Sequence, residues 1–319
     1  MGNTTKIRFH SLKILTGSDL SRRKLPMMWA ENGIPGPVVW ITACGHGDEV
    51  TGIVIIQELF ALIRKYGLLS GSLYAFPIMN PIGFENISRH IPYSDEDLNR
   101  AFPGNPSGSL AERIADKIFT TILSKKPNLL IDLHNDWIQS IPYALIDPVE
   151  EGGEAYGLAV AYARVSGFAT VLDTDLLRRS LSYNLLKREI PALTLELGES
   201  YVVNETNVQY GLQAVSAILS HMGMIGSICS KGGYPLPGKL KDALLHYCDK
   251  PLCSNSGILR FAVKPGIIVK KGQRVARIYN AYGRLQESIH APAPALVLGH
   301  TETSVAYPGA SVMSFGLLE

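Results

Sequence analysis

The stretch GPVVWITACG, residues 36–45, constrains the fold more than any other part of the chain. It is an apolar, β-branched run closed on both sides by glycine. That is the pattern of a strand buried on both faces, and such strands belong to sheets covered by helices. EVTGIVIIQELFALIRKY follows, with apolar residues at every third or fourth position, which predicts an amphipathic helix. GSLYAFPIMNP opens on Gly71 and reads as a second strand closed by a proline. Strand, helix, strand is the unit of a parallel or mixed sheet.

The alternation continues. SLAERIADKIFTTILSKK reads as a helix, NLLIDLH as a buried strand, GEAYGLAVAYARVSG as a helix, PALTLELG as a buried strand and NVQYGLQAVSAILSHMGMI as a helix. Near residue 226 the texture changes to short strand-like pieces rich in glycine and proline, among them GILRFAVKPG, KGQRVARIYNAYG and LQESIHAPAPALVLG. The expected fold class is therefore α/β, a mixed sheet flanked by helices over residues 1–226, with a smaller all-β domain over 227–319. KPGIIVKKGQRVARI resembles the half-barrel repeat of lipoyl and biotinyl carrier domains. The hairpin stretch HAPAPALVLG displays no lysine, so a swinging-arm role is not expected.

Thirty basic and 28 acidic residues leave a formal charge of +2, with no basic stripe for nucleic acid or an anionic membrane. A small-molecule partner is expected, and a homo-oligomer is compatible with this composition. MGNTTKIRFH lacks an apolar signal core, Lys6 breaks a myristoylation motif, and no run approaches the roughly 20 apolar residues of a membrane span, so a cytoplasmic protein is expected. Cys44, Cys229, Cys248 and Cys253 lack C-x-x-C spacing and read as reduced thiols.

In open α/β sheets, ligands bind at the carboxyl ends of strands. Three of these strands end in residues that carry chemistry: His46 and Glu49 after the first, His134 at the end of LLIDLH, and Glu196 within LTLELG. Two histidines and a glutamate are a ligand set for one catalytic Zn²⁺ per subunit, with a fourth position open to water whose pKa falls to about 7. Glu196 is the candidate general base and proton carrier. Each residue has a plainer reading: Glu49 in a first helical turn, His134 as a hydrogen-bonded core histidine, Asp48 as the cap of the following helix. An isolated carboxylate inside an apolar strand, such as Glu196, is costly unless paired or used.

GHGDE, NPIGFE with Arg89, DLNRAFPG, IDLH and LTLELG, in that order, resemble the succinylglutamate desuccinylase and aspartoacylase family of the zinc carboxypeptidase-like group. The resemblance implies that fold and an amidohydrolase activity. It also implies His46, Glu49 and His134 as zinc ligands, and Glu196 as the catalytic carboxylate. Arg89 would stabilise the oxyanion, Asn99 and Arg100 would hold a substrate carboxylate, and Asp97 would orient His46. Asp132 is left as a loop anchor or supporting carboxylate, and Arg178 and Arg179 as a solvated charge cluster. No H-E-x-x-H, G-x-S-x-G or G-x-x-x-x-G-K-[ST] motif supports another hydrolytic or nucleotide chemistry. The expected function is zinc-dependent removal of a short acyl group from an N-acyl amino acid or similar small amide. The alternative is a zinc carboxypeptidase acting on peptide C-termini.

Overall fold

The computed structural model describes residues 5–16, 21–137, 139–149, 153–174, 178–226, 233–240, 242–301 and 303–318. In chain order the elements are β1 (Lys6–Thr16), β2 (Arg22–Glu31), β3 (Val38–Ala43), α1 (Thr51–Tyr66), β4 (Ser72–Phe76), α2 (Pro81–Glu85), α3 (Leu110–Ser124), β5 (Leu129–Asp136) and β6 (Gln139–Ser140). There follow β7 (Tyr143–Ile146), α4 (Glu154–Val165), β8 (Ala169–Leu172), α5 (Leu181–Leu186), β9 (Ala192–Glu199) and α6 (Glu205–His221). The C-terminal part is all β: β10 (Leu244–Cys248), β11 (Gly257–Phe261), β12 (Ile268–Val269), β13 (Arg274–Tyr279), β14 (Leu285–His290), β15 (Ala295–His300), β16 (Val305–Ala306) and β17 (Met313–Leu317). A 3-10 turn spans Leu98–Arg100.

Among the described residues the central sheet runs β1-β2-β4-β3-β5-β9-β7-β8-β10-β17-β15-β12, with β6 paired to β15. β4, β3, β5 and β9 are mutually parallel, as the buried apolar runs predict. β7 runs antiparallel to β9, and β7, β8 and β10 form a second parallel group. The sheet is thus mixed, with its direction reversing beside β9. Helix α1 turns its Ile55, Ile56, Leu59, Phe60 and Ile63 into the core. Gly52 lets that helix approach closely, since a Cβ there would lie 2.8 Å from Leu133 and 2.9 Å from Ala43. Helix α3 begins with a capping box in which Ser109 and Glu112 satisfy each other's backbone N–H groups.

The C-terminal part contributes in two ways. β10, β17, β15 and β12 extend the central sheet, while β14, β13, β11 and β16 form a second sheet with an apolar core of its own around Leu259, Val275, Ile278 and Phe315. The 226/227 boundary adjoins residues 227–232, which lie outside the described residues, as does Cys229. The hairpin β1–β2, where no element is expected from the sequence, adds two antiparallel strands to the sheet edge beside β4. Among the described residues no helix is long and apolar enough to cross a membrane.

Candidate active site and metal centre

The loop carrying His46 is shaped by backbone rather than by a regular element. Cys44 adopts φ +54°, turning the chain out of β3, and its carbonyl accepts a hydrogen bond from Asn80 N–H at 2.9 Å. Asn80 also caps α2 by accepting from Gly83 N–H at 2.8 Å, with Pro81 as the first helical residue. Gly47 N–H donates to Ser88 at 2.9 Å, and any side chain at Gly47 would fall into the backbone of Gly83 and Phe84. GHGDE and NPIGFE are therefore two halves of one packed turn. Glu49 precedes helix α1 rather than lying in its first turn, and Val50 is the N-cap. Asp48 does not cap that helix, contrary to the reading from sequence: no side-chain cap bond forms, and Asp48 Oδ1 is buried without a partner. The extra residue between Glu49 and the helix start moves Asp48 out of capping position.

His46, Glu49 and His134 are 3, 1 and 3 % exposed, and one ligand atom from each lies within 4.8 Å of the others. The Glu49 carboxylate stands between the two Nδ1 atoms, 2.6 Å from that of His46 and 2.8 Å from that of His134. The far side of each ring meets a carboxylate: His46 Nε2 is 3.1 Å from Asp97 Oδ1, and His134 Nε2 is 3.0 Å from Asp132 Oδ2. Carboxylates in those positions hold the proton on Nε2 and leave both Nδ1 lone pairs facing the common centre. Two nitrogen donors and one carboxylate, oriented from behind and buried, are a donor set that suits Zn²⁺.

Asp132, left open in the sequence between a loop anchor and a supporting carboxylate, is the carboxylate against His134. It lies two residues before His134 on one strand face, and the same carboxylate accepts a 2.6 Å bond from Thr42 Oγ1 across the β3–β5 register. The signal, an acidic residue at i−2 in a buried strand, is present in the sequence, but its direction toward His134 is not. Asp97 also receives Asn99 N–H at 2.8 Å and stands 3.6 Å from Arg89, so one carboxylate joins the His46 ring, the 3-10 turn and Arg89. Arg89 lies 3.4 Å from Glu49 and is half exposed.

Electrostatically the centre is a mutual arrangement of imidazole and carboxylate. Burial alone would raise the Glu49 carboxyl, but the imidazoles of His46 and His134 outweigh it and hold the group well below the usual range. Burial likewise opposes a proton on His134, yet Asp132 and Glu49 together raise its pKa. A divalent cation at this point would take the place of the protons that these groups otherwise share.

One cavity of about 280 Å³ is lined by His46, Glu49, Arg89, Asn99, Arg100, His134 and Glu196 together. Glu196 sits opposite His134 in the β5–β9 register and opposite Tyr143 in β7–β9, so the three form a row across the sheet. Burial, and secondarily the charge of Asp136, pushes the Glu196 carboxyl well above its ordinary range, and Glu196 Oε2 has no hydrogen-bond partner. Asn99 Oδ1 accepts from Leu181 N–H at 3.0 Å, which ties the 3-10 turn to α5. The C-terminal part reaches the cavity through Tyr247 and Asp249, and Thr301 and Thr303 line an adjoining recess with Arg89, Asn135 and Asp136. Arg179 points elsewhere, pairing with Glu112 at 2.7 Å at the surface. Cys44, Cys248 and Cys253 are free thiols.

The chain is 28% identical over 263 residues to the N-alpha-acetyl-L-2,4-diaminobutyric acid deacetylase of Halomonas elongata, covering 77% of this chain and 71% of that one. It is 27% identical over 183 residues to a succinylglutamate desuccinylase of a Shewanella species, spanning 53% of this chain and about half, 52%, of the desuccinylase. Among solved structures, a succinylglutamate desuccinylase from a Silicibacter species superposes with a TM-score of 0.82 at 20% identity, covering 99% of this chain and 95% of that one. A metallo-carboxypeptidase from Burkholderia cenocepacia superposes with a TM-score of 0.55 at 15% identity over 69% of this chain and 65% of that one. These two likenesses identify the fold as carboxypeptidase-like α/β with a smaller C-terminal β part. The profile described as the succinylglutamate desuccinylase/aspartoacylase catalytic domain matches residues 35–222, more than half of the chain and all of the segment that carries His46, Glu49 and His134, so the chain belongs to that family.

Proposed function

We propose that the protein is a zinc-dependent amidohydrolase that removes a short acyl group from an N-acyl amino acid or a similar small amide. The observation that carries this reading is the convergence of His46 Nδ1, Glu49 and His134 Nδ1 on one point, each ring braced from behind, with Glu196 on the neighbouring strand of the same cavity. When bound there, zinc supplies a Lewis acid and a water acidic enough to serve as nucleophile near neutral pH. The remaining work belongs to side chains. Glu196 accepts a proton at its unpartnered Oε2 and passes it to the departing amide nitrogen, a transfer for which a raised carboxyl pKa is suited. Arg89, held by Asp97 and Glu49, neutralises charge that develops on the carbonyl oxygen. Arg100 and Asn99 hold the substrate carboxylate from the 3-10 turn. Acid and free amine are the products.

The names of the relatives, a deacetylase and desuccinylases of amino acid derivatives, support an N-acyl amino acid substrate. Tyr247 and Asp249 wall the cavity and Thr301 and Thr303 line the recess that adjoins it, so the C-terminal part crowds the site, which supports a small substrate over a peptide. We also propose the division into a catalytic domain, residues 1–226, and a C-terminal β domain, 227–319, whose role is to narrow the entrance. The test is zinc content together with hydrolysis of N-acetyl and N-succinyl amino acids beside short peptides. Glu196→Gln should retain zinc and lose about 10²- to 10⁴-fold in kcat. Hydrolysis at the normal rate by this variant would remove Glu196 from the mechanism, and faster turnover of peptides than of acyl amino acids would favour the carboxypeptidase reading.

A further inference from the structure

Glu196 lies on β9 between two flanking strands, with His134 of β5 and Tyr143 of β7 as its register partners. Residues directly opposite one another project from the same face of a sheet, so the Tyr143 ring and the Glu196 carboxylate stand together on the face of His134. From β7 the phenol reaches across β9: the Tyr143 hydroxyl donates to Asp136 Oδ2 on β5 at 2.9 Å. Neighbouring strands are about 4.8 Å apart, which separates β5 from β7 by ~10 Å, so this bond passes over the strand that carries Glu196. Tyr143 is 1 % exposed, and Tyr143, Asp136 and Glu196 all line the cavity shared with His46, Glu49 and His134.

That bond fixes what the phenol oxygen can offer. Its one proton is committed to Asp136, and burial together with the charges of Asp136 and Glu196 pushes its pKa well above the ordinary tyrosine range, so the proton stays. Toward a ligand the oxygen therefore presents a lone pair and no donor. The groups already assigned to the substrate are of the opposite kind. Arg89 and Arg100 only donate, and Asn99 has its NH₂ left because its Oδ1 is taken by Leu181 N–H. An N-acyl amino acid brings one donor of its own, the N–H of the bond to be broken, and a buried donor without an acceptor is costly.

We propose that Tyr143 is a catalytic residue that accepts a hydrogen bond from the scissile amide N–H, and that Asp136 is the positioning residue that keeps the phenol in its accepting state. This inference rests on the deacylase reading and adds the group that orients the nitrogen. An amide nitrogen has one N–H, and it acquires a directed lone pair as the carbonyl carbon becomes tetrahedral. With the N–H held by Tyr143, that lone pair turns toward Glu196, the neighbouring side chain. It takes the proton from Glu196, and the electrons of the breaking C–N bond become the lone pair of the free amine.

The test compares an N-acyl amino acid that the zinc-loaded full chain hydrolyses with the ester in which oxygen replaces the amide nitrogen; for N-acetyl-L-alanine the ester is O-acetyl-L-lactate. Loss of the acceptor from a buried N–H corresponds to about 5- to 100-fold, so Tyr143→Phe should lower kcat/KM for the amide by that factor and leave the ester, which has no N–H, within about twofold. An amine leaving group also depends more on the Glu196 proton than an alcohol does. The comparison is therefore repeated as calorimetric Kd in a Glu196→Gln background, where Tyr143→Phe should weaken binding of the amide and not of the ester. Asp136→Ala should lower the amide-to-ester ratio in the same direction, and Asp136→Asn, whose carbonyl oxygen still accepts from the phenol, should restore most of it. Equal losses for amide and ester, or a split in turnover that is absent from binding, make Tyr143 a support of the fold or of Glu196 and overturn the proposal while the deacylase reading stands. If Tyr143→Phe does not fold, an unchanged ratio in Asp136→Ala overturns it instead. If the parent hydrolyses no acyl amino acid, the deacylase reading fails and this role falls with it.

Discussion

Replacement of Asp132 by asparagine probes the part of the centre that the sequence least announces. Asp132 accepts two hydrogen bonds at once, from Thr42 Oγ1 at 2.6 Å and from His134 Nε2 at 3.0 Å, and is 1 % exposed. Asparagine has one carbonyl oxygen, so it can serve one donor while its NH₂ group faces the other. If the NH₂ faces His134, the ring must carry its proton on Nδ1, the atom that faces Glu49 and the common centre. If it faces Thr42, the hydroxyl must turn to accept, and the acceptor left for His134 is neutral. Loss of such a supporting carboxylate corresponds to 10- to 100-fold in metal affinity, or about 1.4–2.8 kcal/mol. Thr42→Val keeps the carboxylate on His134 and should cost less than about tenfold. The assay is competition for zinc against a chromophoric chelator at fixed pH, with circular dichroism to show that both variants are folded. Zinc affinity of Asp132→Asn within twofold of the parent would refute the argument that this carboxylate sets the tautomer of His134.

Gly47→Ala should lower both melting temperature and zinc affinity, by about 2–4 kcal/mol in stability, because its Cβ would meet the backbone of Gly83 and Phe84; an unshifted melting curve would contradict the packed-turn account. Ser109→Ala should cost about 1 kcal/mol in denaturant unfolding through loss of the α3 capping box, and catalysis should be untouched. Asp147 gives a pH dependence of definite sign. Its folded carboxyl, raised to about 6 from an ordinary 3.8, contributes stability that is fully present below about pH 4 and is lost as pH rises through 6. Between pH 4 and 7 the parent should therefore lose on the order of 3 kcal/mol relative to Asp147→Asn. Parallel stability curves for the two proteins would show that burial does not penalise the ionised form.

The parts of this protein that follow from local pattern were legible in the sequence. VVWITA, LLIDLH and LTLELG announced their strands because residues buried on both faces leave no polar alternation, and the helices α1, α3, α4 and α6 announced theirs by apolar spacing. His46, Glu49, His134 and Glu196 stood out in the sequence by their combination at strand ends and by the order of the motifs that carry them, since each alone has a plainer structural use. Short or partly exposed strands were harder: β1 and β2 pair with each other at an edge, where propensity is weak and tertiary contact decides.

What only the tertiary structure decided concerns direction. The reversal between β9 and β7 follows from no local pattern, yet it lays the ends of β7, β8 and β10 opposite the ends of β3 and β5, so that one cavity joins His46, Glu49 and His134 to Asp147, Asp173 and Asp249. Asp132 and Asp97 are ordinary acidic residues in the sequence and become ring-orienting partners only where the register and the 3-10 turn bring them to 3.0 and 3.1 Å from an imidazole. The physical reason is range: helix and strand patterns are set by neighbours within a few residues, whereas hydrogen bonds to a buried imidazole and the charge of a pocket are set by chain segments far apart in sequence, whose meeting depends on how the whole sheet is ordered.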